Sequence, residues 1–223
     1  MSYILHGAVL SPFVRKCRAY LAEKDIPYEH VHADPGNLPE GYERLNPLRR
    51  IPALEHGDLC LADSSVICQY LERLHPEVPL YGGVAADFAR TLWLEKYADY
   101  ELASVSTFGI YRERLIMPLR GIATREERVQ RALAALPALF DYLEQTLGER
   151  EWFVGDQLTV ADIAIASQFV NLEHVGEREA LSAQRWPRLH AFVERMLKRP
   201  SLAEGVEQER SLVGKIRHKL GLA

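Results

Sequence analysis

The chain has 223 residues, 48% of them hydrophobic and 26% charged, which is enough for a sizeable core and unlike a disordered composition. Its 27 basic and 31 acidic residues leave a formal charge of −4, so no global field gathers nucleic acid or an anionic membrane. No run approaches the ~20 apolar residues of a membrane span, and the first residues carry no basic segment followed by an apolar one. A cytoplasmic protein with neither nucleic-acid nor membrane partners is expected. The three cysteines, Cys17, Cys60 and Cys68, contain no Cys-x-x-Cys, which argues against a disulfide framework, a zinc site and a two-cysteine redox centre.

From Tyr3 to about Pro76 short strand-like runs alternate with helical ones. Tyr3 to His6 and Tyr28 to His32 read as strands, and Pro12 to Lys24 between them has helical spacing through Val14, Cys17, Tyr20 and Leu21. After a loop from Asp34 to Pro47, Ala53–Glu55 and Leu59–Leu61 flank His56-Gly57-Asp58, a hairpin signal. Ser64 to Leu74 then reads as a helix. The stretch 77–86, with Pro79, Gly82 and Gly83, is the predicted linker between a domain 1–76 and an all-helical domain 87–223. Helices are predicted over Asp87–Met117, Thr124–Leu147, Thr159–His174 and Pro187–Arg199, followed by a short terminal helix and a loose end.

Three places could carry chemistry. Ser11 stands where a helix N-cap belongs, with Pro12 in the first helical position; a hydroxyl there can cap the helix or hold an anion, including a thiolate, at its positive end. Ile51-Pro52 leads into the third strand, where free backbone groups of Ile51 could pair with an extended peptide, or where Pro52 simply starts a strand. Asp63-Ser64-Ser65 opens the next helix, either as a cap or as a receiver for the two charges of an amino acid's α-carbon, with Arg49-Arg50 upstream available to a second carboxylate. Thr159 and Asp162 read as a capping box, a structural device. Cys17 lies about 240° around the helix from Ser11, which disfavours a shared site, and His30 and His32 share a strand face without a third metal ligand. No metal is expected. Trp93, Tyr97, Phe108 and Tyr111 fit an apolar stripe and are expected in the core.

The segments SPFVRKCRAYLAEKDIPYE (Ser11–Glu29), NPLRRIPAL (Asn46–Leu54) and DSSVICQYLE (Asp63–Glu72) together resemble the glutathione-binding domain of serine-type cytosolic glutathione transferases, with a bacterial or tau-like N-terminal motif. FVGDQLTVADIAIAS (Phe153–Ser167) extends the resemblance into the helical half. It implies an α/β thioredoxin-like N-terminal domain plus an all-α C-terminal domain, a homodimer in which Ser64–Leu74 faces the partner's helical domain, and glutathione as co-substrate. Carried over residue by residue, it implies Ser11 as the catalytic hydrogen-bond donor to the glutathione sulfur, and Phe13, Arg50, Ile51, a cis Pro52, Asp63 and Ser64 as glutathione-binding residues. Asp63 replaces the family's more usual glutamate. Tyr100, Thr107, Phe108 and Tyr111 are the candidates for the second-substrate pocket. The expected activity is attack of the thiolate on small electrophiles or peroxides, as in detoxification. The alternatives are a glutathione-dependent isomerase, dehalogenase or thiol-disulfide enzyme, and a non-catalytic scaffold like the starvation proteins that associate with RNA polymerase.

Overall fold

A computed structural model describes residues 2–222, apart from the side chain of Glu179. Four four-residue strands, β1 (Tyr3–His6), β2 (Tyr28–Val31), β3 (Ala53–His56) and β4 (Leu59–Ala62), form one sheet in the order β2-β1-β3-β4. β1 and β2 run parallel and so need a crossover, which is α1 (Pro12–Glu23); β3 and β4 form the predicted hairpin, turning at Gly57 with φ 61°. Close packing of α1 on the sheet depends on Gly7. A Cβ there would sit 2.3 Å from a methyl of Val14. α2 (Ser64–Leu74) completes the thioredoxin-like half, with Ile67, Cys68 and Leu71 buried on its inner face.

The helical half begins with α3, a continuous helix over residues 85–119 that is α-helical over Ala85–Lys96 but π-wound over Tyr97–Leu102 and Ser106–Ile116. It is followed by α4 (Glu126–Leu147), α5 (Val160–His174), α6 (Pro187–Leu197) and α7 (Pro200–Leu220). α5 is buried on nearly every side and packs against α1, α3 and α6, so it serves both halves as a common core.

Two sequence expectations are corrected. The tail is no loose end: Pro200 in the first turn and Gly221 just past the last bound a 21-residue helix that buries Leu202, Val206, Glu209 and Val213. The aromatic stripe of α3 does not hold together either. Tyr97 and Tyr111 are buried, whereas Trp93 is 57% and Phe108 44% exposed. The π-wound turns insert extra residues, so Phe108, beyond Lys96, rotates away from the 100° spacing that the stripe assumed, while Trp93 ahead of them lies on the outer face with its Nε1 donating to the Tyr142 hydroxyl at 2.6 Å.

α1 joins the halves through charge. Arg15, four residues after Ser11, is buried and gives its Nε to both oxygens of Glu209 on α7, at 3.1 and 3.0 Å, and its Nη1 to the Ser167 carbonyl at 2.6 Å and to Asn171 at 3.1 Å. Lys16, equally buried, reaches Glu95 at 2.8 Å and Asp99 at 2.5 Å on α3. Fully paired and hydrogen-bonded, such buried charges fix the orientation of α1 against the helical half.

Candidate active site

The strand register gathers the three candidate segments. His6 at the end of β1 lies opposite Ala53 at the start of β3, which in turn lies opposite Ala62 at the end of β4. Ser11 follows the first of these, Ile51-Pro52 precedes the second and Asp63 follows the third, so all three come to one edge of the sheet.

Ser11 is half-buried in extended conformation at the N-cap of α1, and its Oγ accepts the Val14 N–H at 3.4 Å. That bond is long and uses an acceptor lone pair only; the hydroxyl proton remains available for a second partner. Capping and anion binding are therefore compatible at this atom. The adjoining helix end leaves backbone donors without intrahelical partners and carries a partial positive charge.

Across the edge, the Ile51–Pro52 peptide is cis. Its approach is held by two buried side chains: the Tyr42 hydroxyl and the Asn46 amide both donate to the Arg50 carbonyl, at 3.0 and 2.8 Å. Burial pushes the Tyr42 phenol up to about 12, so it stays a donor across the physiological range. Neither the N–H nor the carbonyl of Ile51 has a hydrogen-bond partner among the described residues. Arg50 is exposed and has no ion-pair partner among the described residues, while Arg49, at φ 52°, pairs with Glu43 at 2.9 Å.

Asp63 caps α2 from a left-handed φ of 77°, accepting the N–H groups of Ser65 at 2.9 Å and Val66 at 3.2 Å while staying exposed. Ser64 is buried, and its carbonyl takes the Cys17 thiol at 3.8 Å, which places Cys17 behind the site wall. Ser65 connects this wall to a charge network: its hydroxyl lies 3.2 Å from both Lys16 Nζ and Asp99 Oδ2. Burial alone would lower the Lys16 ammonium, but the carboxylates of Asp99 and Glu95 outweigh it and keep it well above its usual value. Burial pushes the Asp99 carboxyl up against the pull of Lys16. Sequence reasoning missed this network. Its only readable trace was the i,i+4 spacing of Glu95 and Asp99, which looks like an ordinary solvated face.

The four candidates for the second-substrate pocket separate. Phe108 stacks on Phe13 across the two halves, with centroids 6.2 Å apart and planes at 27°, and Tyr100 is 61% exposed with Lys96 Nζ over its ring at 5.5 Å. Thr107 and Tyr111 belong to the core instead. Thr107 donates to Gln168 at 2.7 Å and accepts from Asn171 at 3.1 Å, and Tyr111 packs against His174 with centroids 6.2 Å apart.

Comparison with known proteins shows the family. Residues 5–79 match the family model "Glutathione S-transferase, N-terminal domain" and residues 121–209 match "Glutathione S-transferase, C-terminal domain". A rice protein (Oryza sativa subsp. japonica) named as a probable glutathione S-transferase is 30% identical over 203 residues, covering 88% of this chain and 92% of its own.

The chain belongs to the glutathione S-transferase family.

A tobacco glutathione S-transferase (Nicotiana tabacum) is 27% identical over 93% of this chain and 99% of its own. Among solved structures, a glutathione S-transferase from Rhodospirillum rubrum superposes with a TM-score of 0.82 at 29% identity, covering 90% of each chain. Another, from Methylobacterium radiotolerans, was solved in complex with glutathione sulfonate; it superposes at 0.76 with 28% identity, covering 92% of this chain and 95% of its own. The transferase fold seen there, a four-stranded mixed sheet with helices followed by a helical domain, is the one described above.

Proposed function

We propose that this transferase binds glutathione along the sheet edge, in a domain spanning 1–76, and activates its thiol through Ser11. A helical domain 87–223, reached through 77–86, supplies the second substrate's wall. The observation that carries the reading is the pair of open ends on one edge: a Ser11 hydroxyl with its proton uncommitted, and unpaired backbone groups at Ile51. Ile51 would pair with the cysteinyl residue as an added strand does, beside Pro52. Asp63 and the buried Ser64 would receive the γ-glutamyl charges, and Arg50, which has no ion-pair partner among the described residues, would receive the glycine carboxylate.

Ordinary cysteine thiols titrate near ~8.5, so most of the glutathione is protonated at neutral pH, and each unit of depression needs ~1.4 kcal/mol of preferential thiolate stabilisation. Ser11 is too weak an acid or base to take that proton; it donates a hydrogen bond to sulfur, the proton leaves to water, and the helix end adds its partial charge. The thiolate then forms a carbon–sulfur bond with a small electrophile as the leaving group departs, or attacks a hydroperoxide oxygen, breaking the O–O bond to give the glutathione sulfenic acid and an alkoxide that water protonates. Phe13 and Phe108, stacked across the two halves, would form an aromatic wall for the second substrate, and we assign the protein a detoxifying role in the cytoplasm. The protein acts as a homodimer. Val66 and Leu74, 47% and 44% exposed on α2, support that surface as the contact.

The test is the ultraviolet absorbance of bound glutathione thiolate against pH, in the wild type and Ser11→Ala. A thiol pKa below that of free glutathione, reverting in the variant, supports the reading; saturable binding with an unshifted pKa in both would sink the serine's role.

A further inference from the structure

The face of α3 that meets the α/β half touches it at two points. At one, Phe108 stacks on Phe13, two residues after Ser11; at the other, Arg120, just past the helix end, pairs with Asp34 at 3.5 Å. Gly36 lets the second contact close, since a Cβ there would stand 2.6 Å from Arg120 Nη2. Both contacts lie off the same edge of the sheet, because Val31 at the end of β2 is opposite His6 at the end of β1. Steps of four residues from Phe108, which stay on one helix face, reach Arg112, Ile116 and Arg120. Arg112 and Ile116 thus lie over the edge between the two contacts, one and two turns beyond the Phe108 ring.

The charges on this stretch are unevenly met. Arg114 pairs with Glu126 on α4 at 2.8 Å and Arg120 with Asp34, whereas Arg112 is the one half-buried arginine whose side chain has neither a hydrogen bond nor an ion pair among the described residues. A guanidinium that has lost part of its hydration without gaining a counter-ion has five donors to offer, in a planar fork that fits a carboxylate. Its flanks are apolar, with Phe108 on one side and Ile116 on the other. On the transferase reading above, we propose that Arg112 determines specificity for the second substrate, selecting small electrophiles that carry a carboxylate. The carboxylate lies on Arg112, the hydrocarbon against Phe108 and Ile116, and the reacting carbon toward the glutathione sulfur at Ser11. An electrophile without the charge gains only the apolar part of this contact.

The probes are para-(chloromethyl)benzoate and its neutral amide, which differ in charge and little in shape. In each, the glutathione sulfur forms a bond to the benzylic carbon as chloride leaves with the carbon–chlorine electron pair. For both, kcat/KM is measured on the full chain with excess glutathione, over the uncatalysed rate. The wild type is expected to favour the benzoate by at least about tenfold, Arg112→Met to bring the ratio close to one, and Arg112→Lys to keep an intermediate preference. Arg114→Met removes an equal charge from the same helix and should keep the wild-type ratio. A wild-type ratio near one, or a preference that survives Arg112→Met, overturns this inference alone. A ratio that falls as far in Arg114→Met overturns it too, as an effect of net charge. No turnover of either compound overturns the transferase reading and this inference with it.

Discussion

Asp63 and Asp162 each sit at a helix N-terminus and do opposite things. Asp162, fully buried, accepts the Thr159 N–H and hydroxyl, both at 2.8 Å, and the Phe153 N–H at 3.0 Å, tying the start of α5 to the segment before it. Asp63 is exposed, holds two backbone N–H groups of α2 and leaves its outer face to solvent, as Ser11 does at α1. The same local chemistry yields a structural joint where the carboxylate is spent on donors inside the protein, and a binding edge where some groups are left for a ligand. Position relative to the sheet edge decides between them, not residue type.

Four experiments bear on this contrast. Ser11→Ala removes the uncommitted donor and should lower kcat/KM with glutathione about 10²–10³-fold, with the urea midpoint nearly unchanged; equal losses in stability and activity would return Ser11 to a mere cap. Asp162→Ala leaves buried donors orphaned and should cost about 3 kcal/mol in urea unfolding. The far end of α5 offers a pH-dependent version. There His174 is held down to about 3 by burial and by the charges of Arg15 and Arg210. The unfolded chain therefore binds the proton first, and its contribution to stability is full above about pH 6.5 and lost as the pH falls toward 3. Between pH 7 and about pH 4.5 the wild type should lose roughly 2 kcal/mol more than His174→Phe, read from unfolding curves at both pH values. Asp63→Ala should be mildest, costing ~1 kcal/mol of stability; because its cap is open, it should raise the KM for glutathione severalfold, which Asp162→Ala should do only in proportion to unfolding.

Much of this could be read from the chain. The crossover, the hairpin and α2, with bounds Ser64–Leu74 as expected, follow from local periodicity and turn residues, and the family resemblance rested on segments whose residues form the sheet edge. What stayed hidden was non-local or off-period. Arg15 and Lys16 look like solvated helix residues until α3 and α7 supply their carboxylates 79 to 194 positions away. Tyr111 fitted the apolar stripe and is buried as that stripe implied, while Thr107 is tied into the core by Gln168 and Asn171, partners on another helix that no local pattern displays. The Phe13–Phe108 stack pairs residues from both halves, and no single-helix pattern could reveal it.

The buried charges of α1 also govern how the chain can be divided. Without α3 and α7, α1 would lose the cover of its apolar face and Arg15 and Lys16 would lose the carboxylates that fix its orientation. The helix that presents Ser11 is held in place by α7, whose Glu209 lies 194 positions beyond Arg15, so the site's geometry is set only once α7 has packed.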